Sequence, residues 1–208
     1  MFESILNLDL STFIQTIGYL GISLIVFVES GLFFGFFLPG DTLLFTAGLL
    51  ASQGYFNISI LILIIGIAAV LGDQVGYWFG YKVGPKIFVR DDSLFFKKKH
   101  VHTAEVFYAK YGKKAILLAR FLPIVRTFIP ILAGVGKMSY KDFVLYNIIG
   151  GALWGGSITL LGYFLGQRIP GIEKYLLPIL LLIIFVSVLP TIYTIVKEKI
   201  NRPYALGN

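Results

Sequence analysis

The sequence predicts an all-α integral membrane protein, an inverted repeat of two opposed re-entrant helical hairpins plus about three full transmembrane helices. Three observations lead there. The 208 residues are 57% hydrophobic and only 14% charged, with a mean hydropathy of +0.82, well above a water-soluble norm. Proline and glycine interrupt two of the apolar stretches. The two halves of the chain carry matching landmarks at a fixed spacing, the mark of an internal repeat.

At this length, about five or six helices that cross or dip into the bilayer consume most of the chain, so residues 1–208 read as one membrane domain without a soluble catalytic domain. There is no cysteine, which excludes disulfides, thiolate metal sites and a cysteine nucleophile. The start, MFESILNLDLS, carries Glu3 and Asp9 where a leader would be basic, so no cleaved signal peptide is expected. The net charge of +7 does not point to nucleic acid. Its lysines and arginines cluster beside apolar spans, where the positive-inside rule and anionic headgroups account for them.

Residues 12–52 form an apolar stretch broken at Pro39 and Gly40, read as the first hairpin. Residues 58–81 are the first full span. The segment 82–114 that follows holds nine lysines and arginines against three acids, which places it in the cytoplasm. Within it, residues 94–110 mix phenylalanine and valine with lysine and histidine, fitting either an interfacial helix or a solvated connector. Residues 113–138 are broken by Pro123 and Pro130 and read as the second hairpin. It returns to its own side, because Lys137 and Lys141 follow it and belong with Lys113 and Lys114. Residues 142–165 are the second full span. A C-terminal transmembrane helix at about 176–196 leaves the C-terminus cytoplasmic. Proline inside a helix costs about 3 kcal/mol or more, and in lipid the freed backbone groups need partners within the protein. Breaks of this kind therefore suit hairpins shielded by neighbouring spans.

A shift of 91 residues places Gly21 on Gly112, Glu29 on Arg120 and Pro39 on Pro130. A shift of 86 places Gly48 on Gly134 and GYWFG at 76–80 on GYFLG at 162–166. The halves are about 12–84 and 94–168. Their spans run in opposite directions by the charge argument, and opposed broken hairpins build a midplane site in inverted-repeat transporters.

Among the ionisable residues inside the apolar segments, four stand out: Glu29, Asp41, Arg120 and Arg126. Each costs about 2.5 kcal/mol or more to insert and needs a partner or a task. On a continuous helix the two arginines would stand about 240° apart, but the proline break lets both face one cavity, where two guanidiniums can hold a phosphate. Plainer roles stay open: Asp41 as a helix cap, Glu29 as an arginine's structural partner, the arginines as snorkelling or neutralising groups. Asp73, beside Gly72, reads as packing glue or as part of the polar interior. Gly72, Gly76, Gly80 and Gly84 form a small-residue stripe for close packing, within one chain or between copies in a homo-oligomer. Trp78 and Trp154 read as interface anchors or packing groups.

No enzyme, metal or cofactor is expected. His100 and His102 lie two apart in the basic segment, a spacing that does not share a helical face. No Ser-His or Ser-Lys pairing marks the membrane segments, and no histidine nucleophile stands beside the arginines.

The stretches FVESGLFFGFFLPGDTLLFTAG, GDQVGYWFGYKVG, ARFLPIVRTFIPILAGVGKM and WGGSITLLGYFLG resemble the bacterial DedA family, also called the SNARE-associated or VTT-domain family, over roughly residues 15–170. The arginine block from Arg120 to Gly134 is the most specific part. The resemblance implies a bacterial cytoplasmic-membrane location, required carboxylates at Glu29 and Asp41, and lipid translocation, with undecaprenyl phosphate or a phospholipid as the lipid partner and a link to the proton-motive force. The expected function is a lipid flippase in which Arg120 and Arg126 hold the phosphate and Glu29 and Asp41 serve as counter-charges or proton carriers. The alternative is a proton-coupled ion or small-solute transporter, which needs the carboxylates but not two arginines. A non-transporting scaffold is the third reading.

Overall fold

The computed structural model describes residues 10–31, 40–87, 106 and 108–169. Among the described residues six α-helices follow one another: α1 (Leu10–Gly31), α2 (Gly40–Ser52), α3 (Ile58–Ile87), α4 (Ala115–Ala119), α5 (Pro123–Val135) and α6 (Tyr140–Arg168), with a 3-10 turn, Gly112–Lys114, before α4. There is no strand among the described residues. Among the described residues, three helices are long and apolar enough to cross a membrane: Thr12–Gly31, Ile58–Val83 and Tyr140–Arg168. Two of them are the spans expected at 58–81 and 142–165. The expected span at 176–196, Pro39 and most of 94–110 lie outside the described residues.

Large apolar side chains cover the outward faces of these helices, among them Leu20, Leu63, Leu71, Trp78 and Leu153. A helix that is apolar all round belongs in a core or in lipid. The segment Thr12–Gly31 has the length of a span, but it kinks at Gly18, whose φ of 58° favours glycine. Beyond the kink, Tyr19 packs edge-on against Phe56 at 5.1 Å, and its hydroxyl accepts the Asn57 N–H at 2.7 Å. Asn57 caps α3, its Oδ1 accepting the N–H groups of Ser59 and Ile60 at 3.0 and 3.2 Å. Twelve residues after Tyr19, Gly31 lies against Gly72 near the midpoint of α3. The arm beyond the kink therefore runs beside only the first half of α3.

The helix α2 starts from that same depth. Asp41 meets Trp154 near the midpoint of α6, Gly48 and Gly162 let the two helices touch backbone to backbone, and Gly166 receives the Ser52 side chain. In the other half, Arg120 lies beside Ala69 and Asp73 near the midpoint of α3, and α5 then runs along α3 with Gly80 against Ile131 and Gly134 against Tyr77 and Tyr81. The long helices α3 and α6 are antiparallel: Ile62 lies by Gly156, Ile65 by Gly155, Val70 by Gly151 and Gln74 by Tyr140. Since α2 runs with α6 and α5 with α3, the two short helices point in opposite senses. At 13 residues each they are about 20 Å long, too short to cross roughly 30 Å of hydrocarbon.

Local chemistry explains the start of α5. Leu122 is extended and Pro123 takes the first position of α5, where its missing N–H costs nothing. Pro130, expected as a second break, instead lies inside a continuous α5. It is buried and faces the bare backbone at Gly76, so its ring is accommodated by the neighbouring helix. The glycine stripe is used within the chain, Gly72 against α1 and Gly76 and Gly80 against α5. One apolar cluster joins Ile22, Leu44, Leu61, Ile65 and Trp154 across α1, α2, α3 and α6. A second joins Tyr77, Ala119, Ile129 and Phe143, with the Tyr77 ring stacked 4.4 Å from Phe143.

A side chain at Gly134 has no room, whereas one at Gly66 meets nothing. Gly134→Ala should lower the stability of the detergent-purified protein by about 1–3 kcal/mol in thermal unfolding, and Gly66→Ala should leave it equal or raise it.

Candidate functional site

Five charged side chains pair in two sets near the starts of the short helices. Arg126, on the first turn of α5, pairs through Nη2 with Glu29 Oε1 of α1. Its Nη1 stands 3.6 Å from Asp41 Oδ1 of α2, and its guanidinium lies over the Trp154 ring of α6 at 4.9 Å, a cation–π distance. The Trp154 indole N–H donates to Asp41 Oδ1 at 2.9 Å. Glu29 is fully buried and accepts the Gly40 N–H, at the start of α2, at 3.2 Å. A carboxylate there satisfies an otherwise orphaned donor and meets the positive end of the helix. A Cβ at residue 40 would overlap the Glu29 carboxylate, so Gly40 is required by this close approach.

Arg120, between α4 and α5, makes a separate set of contacts. Its Nη2 pairs with Asp73 Oδ2 and donates to Asn147 Oδ1 at 2.5 Å and to the Ala69 carbonyl at 3.4 Å. Asn147 Nδ2 donates to the Val70 carbonyl at 3.1 Å, which fixes the amide orientation. Gly150 and Gly151 leave the space its side chain fills. Arg120 thus ties α3 to α6, while Arg126 ties together α1, α2, α5 and α6.

Of the residues singled out in the sequence, Glu29, Asp41, Gly40 and Arg126 come together. Arg120 takes different partners, and Pro123 sets the start of the helix that carries Arg126. Asp73, Asn147 and Trp154 complete the site. Asp73 carried a legible signal, since the insertion cost that marked Glu29 applies equally to an aspartate inside the 58–81 span. Nothing local distinguished Asn147, and Trp154 reads from the sequence only as an interface anchor or packing group. Three carboxylates face two guanidiniums, and Glu29 Oε2, Arg120 Nε and Arg126 Nε are buried with no hydrogen-bond partner among the described residues. Among the described residues, both arginines therefore keep a donor that is not taken. No group of three or more metal-ligating side chains occurs among the described residues.

A contrasting pair lies at the end of the bundle. Lys113 Nζ meets Asp142 Oδ2 at 2.5 Å on the exposed surface. The hydrogen bond and the charge of Asp142 hold the Lys113 ammonium above its ordinary value of 10.5. A raised lysine pKa contributes below the ordinary value and is lost as pH rises through the folded one, so this pair stands unchanged around neutrality.

Apolar spans enclosing buried, paired charges define a helical membrane protein with a charged interior. The model of the VTT domain matches residues 38–164. The chain is 44% identical over 178 residues to Protein DedA of Escherichia coli K12, covering 85% of this chain and 81% of that one. It is 34% identical over 174 residues to Inner membrane protein YqjA of the same organism, covering 79% of each. It is 48% identical over 168 residues to Uncharacterized membrane protein ML0287 of Mycobacterium leprae, covering 81% of this chain and 75% of the relative. No solved structure gives a significant match. The chain belongs to the DedA family of VTT-domain membrane proteins.

Breaking a buried pair leaves an uncompensated charge, whereas removing both members need not. Asp73→Leu should destabilise the protein by about 3–5 kcal/mol in thermal unfolding, and Asp73→Leu with Arg120→Met should recover most of that loss. Lys113→Gln, at the exposed pair, should leave the melting temperature unchanged.

Proposed function

We propose that this protein moves a phosphate-bearing lipid, undecaprenyl phosphate or a related phospholipid, between the leaflets of the bacterial cytoplasmic membrane, without chemically altering it. The observation that carries this reading is the pair of buried arginines whose Nε donors have no partner among the described residues. Guanidiniums are suited to phosphate because their donors match its oxygens in pairs. In the state described here, carboxylates occupy the place an anion would take. Glu29 sits at the start of α2 and on Arg126 together, as a phosphate oxygen would.

The same reading takes α1–α2 and α4–α5 as re-entrant hairpins related by an inverted repeat. Supporting it, Tyr19 lies beside the start of α3 and Gly31 beside its midpoint, and Lys113 and Asp142 meet at one end while Arg120 reaches mid-helix. Gly48 and Gly134, equivalent in the repeat, each press on the long helix of the other half. Both short helices then aim their positive ends at one midplane site, and the basic segment 82–114 faces the cytoplasm.

Translocation in this scheme is an exchange of anions. Proton uptake by Glu29 or Asp41 removes its hold on Arg126 and lowers the cost of admitting a phosphate. The lipid tail remains in hydrocarbon while the headgroup passes through the charged interior. One observation favours a second reading, a proton-coupled ion transporter: the buried cluster has one more carboxylate than guanidinium, the balance a bound proton or cation would complete.

Liposomes carrying a fluorescent polyprenyl phosphate in both leaflets discriminate the two. Wild-type protein should collapse the dithionite-protected fraction, and Arg126→Ala or Arg120→Ala should preserve it. Arginine variants that transfer lipid like wild type refute the lipid reading; wild-type cation exchange without lipid transfer establishes the second one. The proton role makes a further prediction. Glu29→Gln should flatten the pH dependence of transfer, and an unchanged pH profile would remove Glu29 from the coupling.

A further inference from the structure

A second polar site lies apart from the charge centre, at the lysine-bearing end of α3. We infer that the cavity between α3 and the turn joining α5 to α6 binds the phosphate headgroup of an anionic lipid. It has a volume of about 560 Å³, and among the described residues its lining is Gln74, Tyr77, Trp78, Tyr81, Lys82, Lys137, Met138 and Tyr140. That lining holds two ammonium groups and no carboxylate. Basic pockets between membrane helices at the headgroup level are the usual form of an anionic-lipid site.

The backbone supplies an independent argument. Lys137 has φ +50°, and its N–H and that of Met138 close the end of α5 on the carbonyls of Gly134 and Ala133 at 3.0 and 2.9 Å. A left-handed residue after a helix end is normally glycine. Here the glycine stands one place earlier, at Gly136, and a lysine takes the strained position. Strain retained at one residue points to a task for its side chain, and this side chain lines the cavity.

The walls are held rigid. Tyr77 donates to the Met138 carbonyl at 2.6 Å, Tyr140 donates to Gln74 Oε1 at 2.5 Å, and Tyr77 and Tyr81 stack with centroids 6.3 Å apart. Lys82 rests over the Trp78 ring at 5.6 Å. The surroundings identify a lipid rather than a soluble phosphate as the source. Leu71, Val75 and Trp78 are exposed at spacings of four and three residues, forming one apolar stripe along α3 that leads to the cavity. An acyl chain lying on that stripe brings its headgroup to Lys82 and Lys137. This site does not depend on translocation, since a resident lipid would occupy it equally in a protein that moved something else.

Native mass spectrometry of the full chain in detergent micelles tests the assignment, with phosphatidic acid, phosphatidylcholine of the same acyl chains, and inorganic phosphate as probes. Wild type should prefer phosphatidic acid by about 25-fold, roughly fivefold per ammonium. Lys82→Gln with Lys137→Gln should abolish the preference, and Lys113→Gln should keep it. Both cavity lysines are exposed, so folding is not at stake. Lys137→Gly separates the roles further: it should raise the melting temperature by relieving the strained φ, yet lose about fivefold in lipid preference. Equal binding of the two lipids, a preference for the choline headgroup as in an aromatic cation cage, or a preference that survives in the double variant would overturn the proposal. So would displacement of the lipid by millimolar inorganic phosphate, which would assign the cavity to a soluble anion.

Discussion

The ion pairs of Arg126 with Glu29 and Asp41 are the constraint around which the rest of this structure is arranged. An uncompensated guanidinium in hydrocarbon is too costly to keep, so the helices that carry its partners must reach it at one depth. That requirement fits the architecture observed: α1 brings Glu29 to the level of mid-α3, α2 starts there with Asp41, α5 starts there with Arg126, and α6 presents Trp154 beside them. The short helices begin where the charges are needed. Because their N-terminal N–H groups lack partners within the helix, the start of α2 draws the same carboxylate that neutralises the arginine.

Close approach of backbones makes this convergence possible. Gly31 meets Gly72, Gly48 meets Thr159, Gly80 meets Ile131, and Gly134 meets Tyr77 and Tyr81. With no hydrophobic drive between helices in lipid, such contacts supply association through dispersion and short-range packing. The arginines themselves are largely buried, where an ion pair is worth more than in water. Packing and electrostatics are therefore one device. A methyl group inserted between α3 and α5 would disturb the position of Arg126 some two turns away, although it touches no charge.

Much of this was legible in the sequence, and the remainder shows where local reading stops. Spans 58–81 and 142–165 followed from length and hydropathy, their opposite directions from the lysine distribution, and the attention to Glu29, Asp41, Arg120 and Arg126 from insertion cost. Gly40 and Pro123, visible as breaks in the apolar sequence, stand at the starts of the two short helices. The pairing pattern was not legible, because Arg120 chooses Asp73, 47 residues away, through tertiary packing that leaves no local trace. Beside a glycine, Asp73 reads as packing glue as readily as a member of the polar interior, and that glycine is what admits α1 to its side. Pro130 looked like a second break, but a proline is tolerated within a helix when a neighbour's bare backbone receives its ring, and Gly76 lies in a different half of the chain.

The central claim is that carboxylates hold Arg120 and Arg126 until a phosphate replaces them. Infrared difference spectroscopy of the protein in nanodiscs, on addition of a polyprenyl phosphate, reads that exchange at the groups themselves. The account predicts that a protonated-carboxyl stretch appears on lipid addition and that Glu29→Gln removes or diminishes it. Unchanged carboxylate bands at saturating lipid, with Glu29→Gln indistinguishable from wild type, would contradict it.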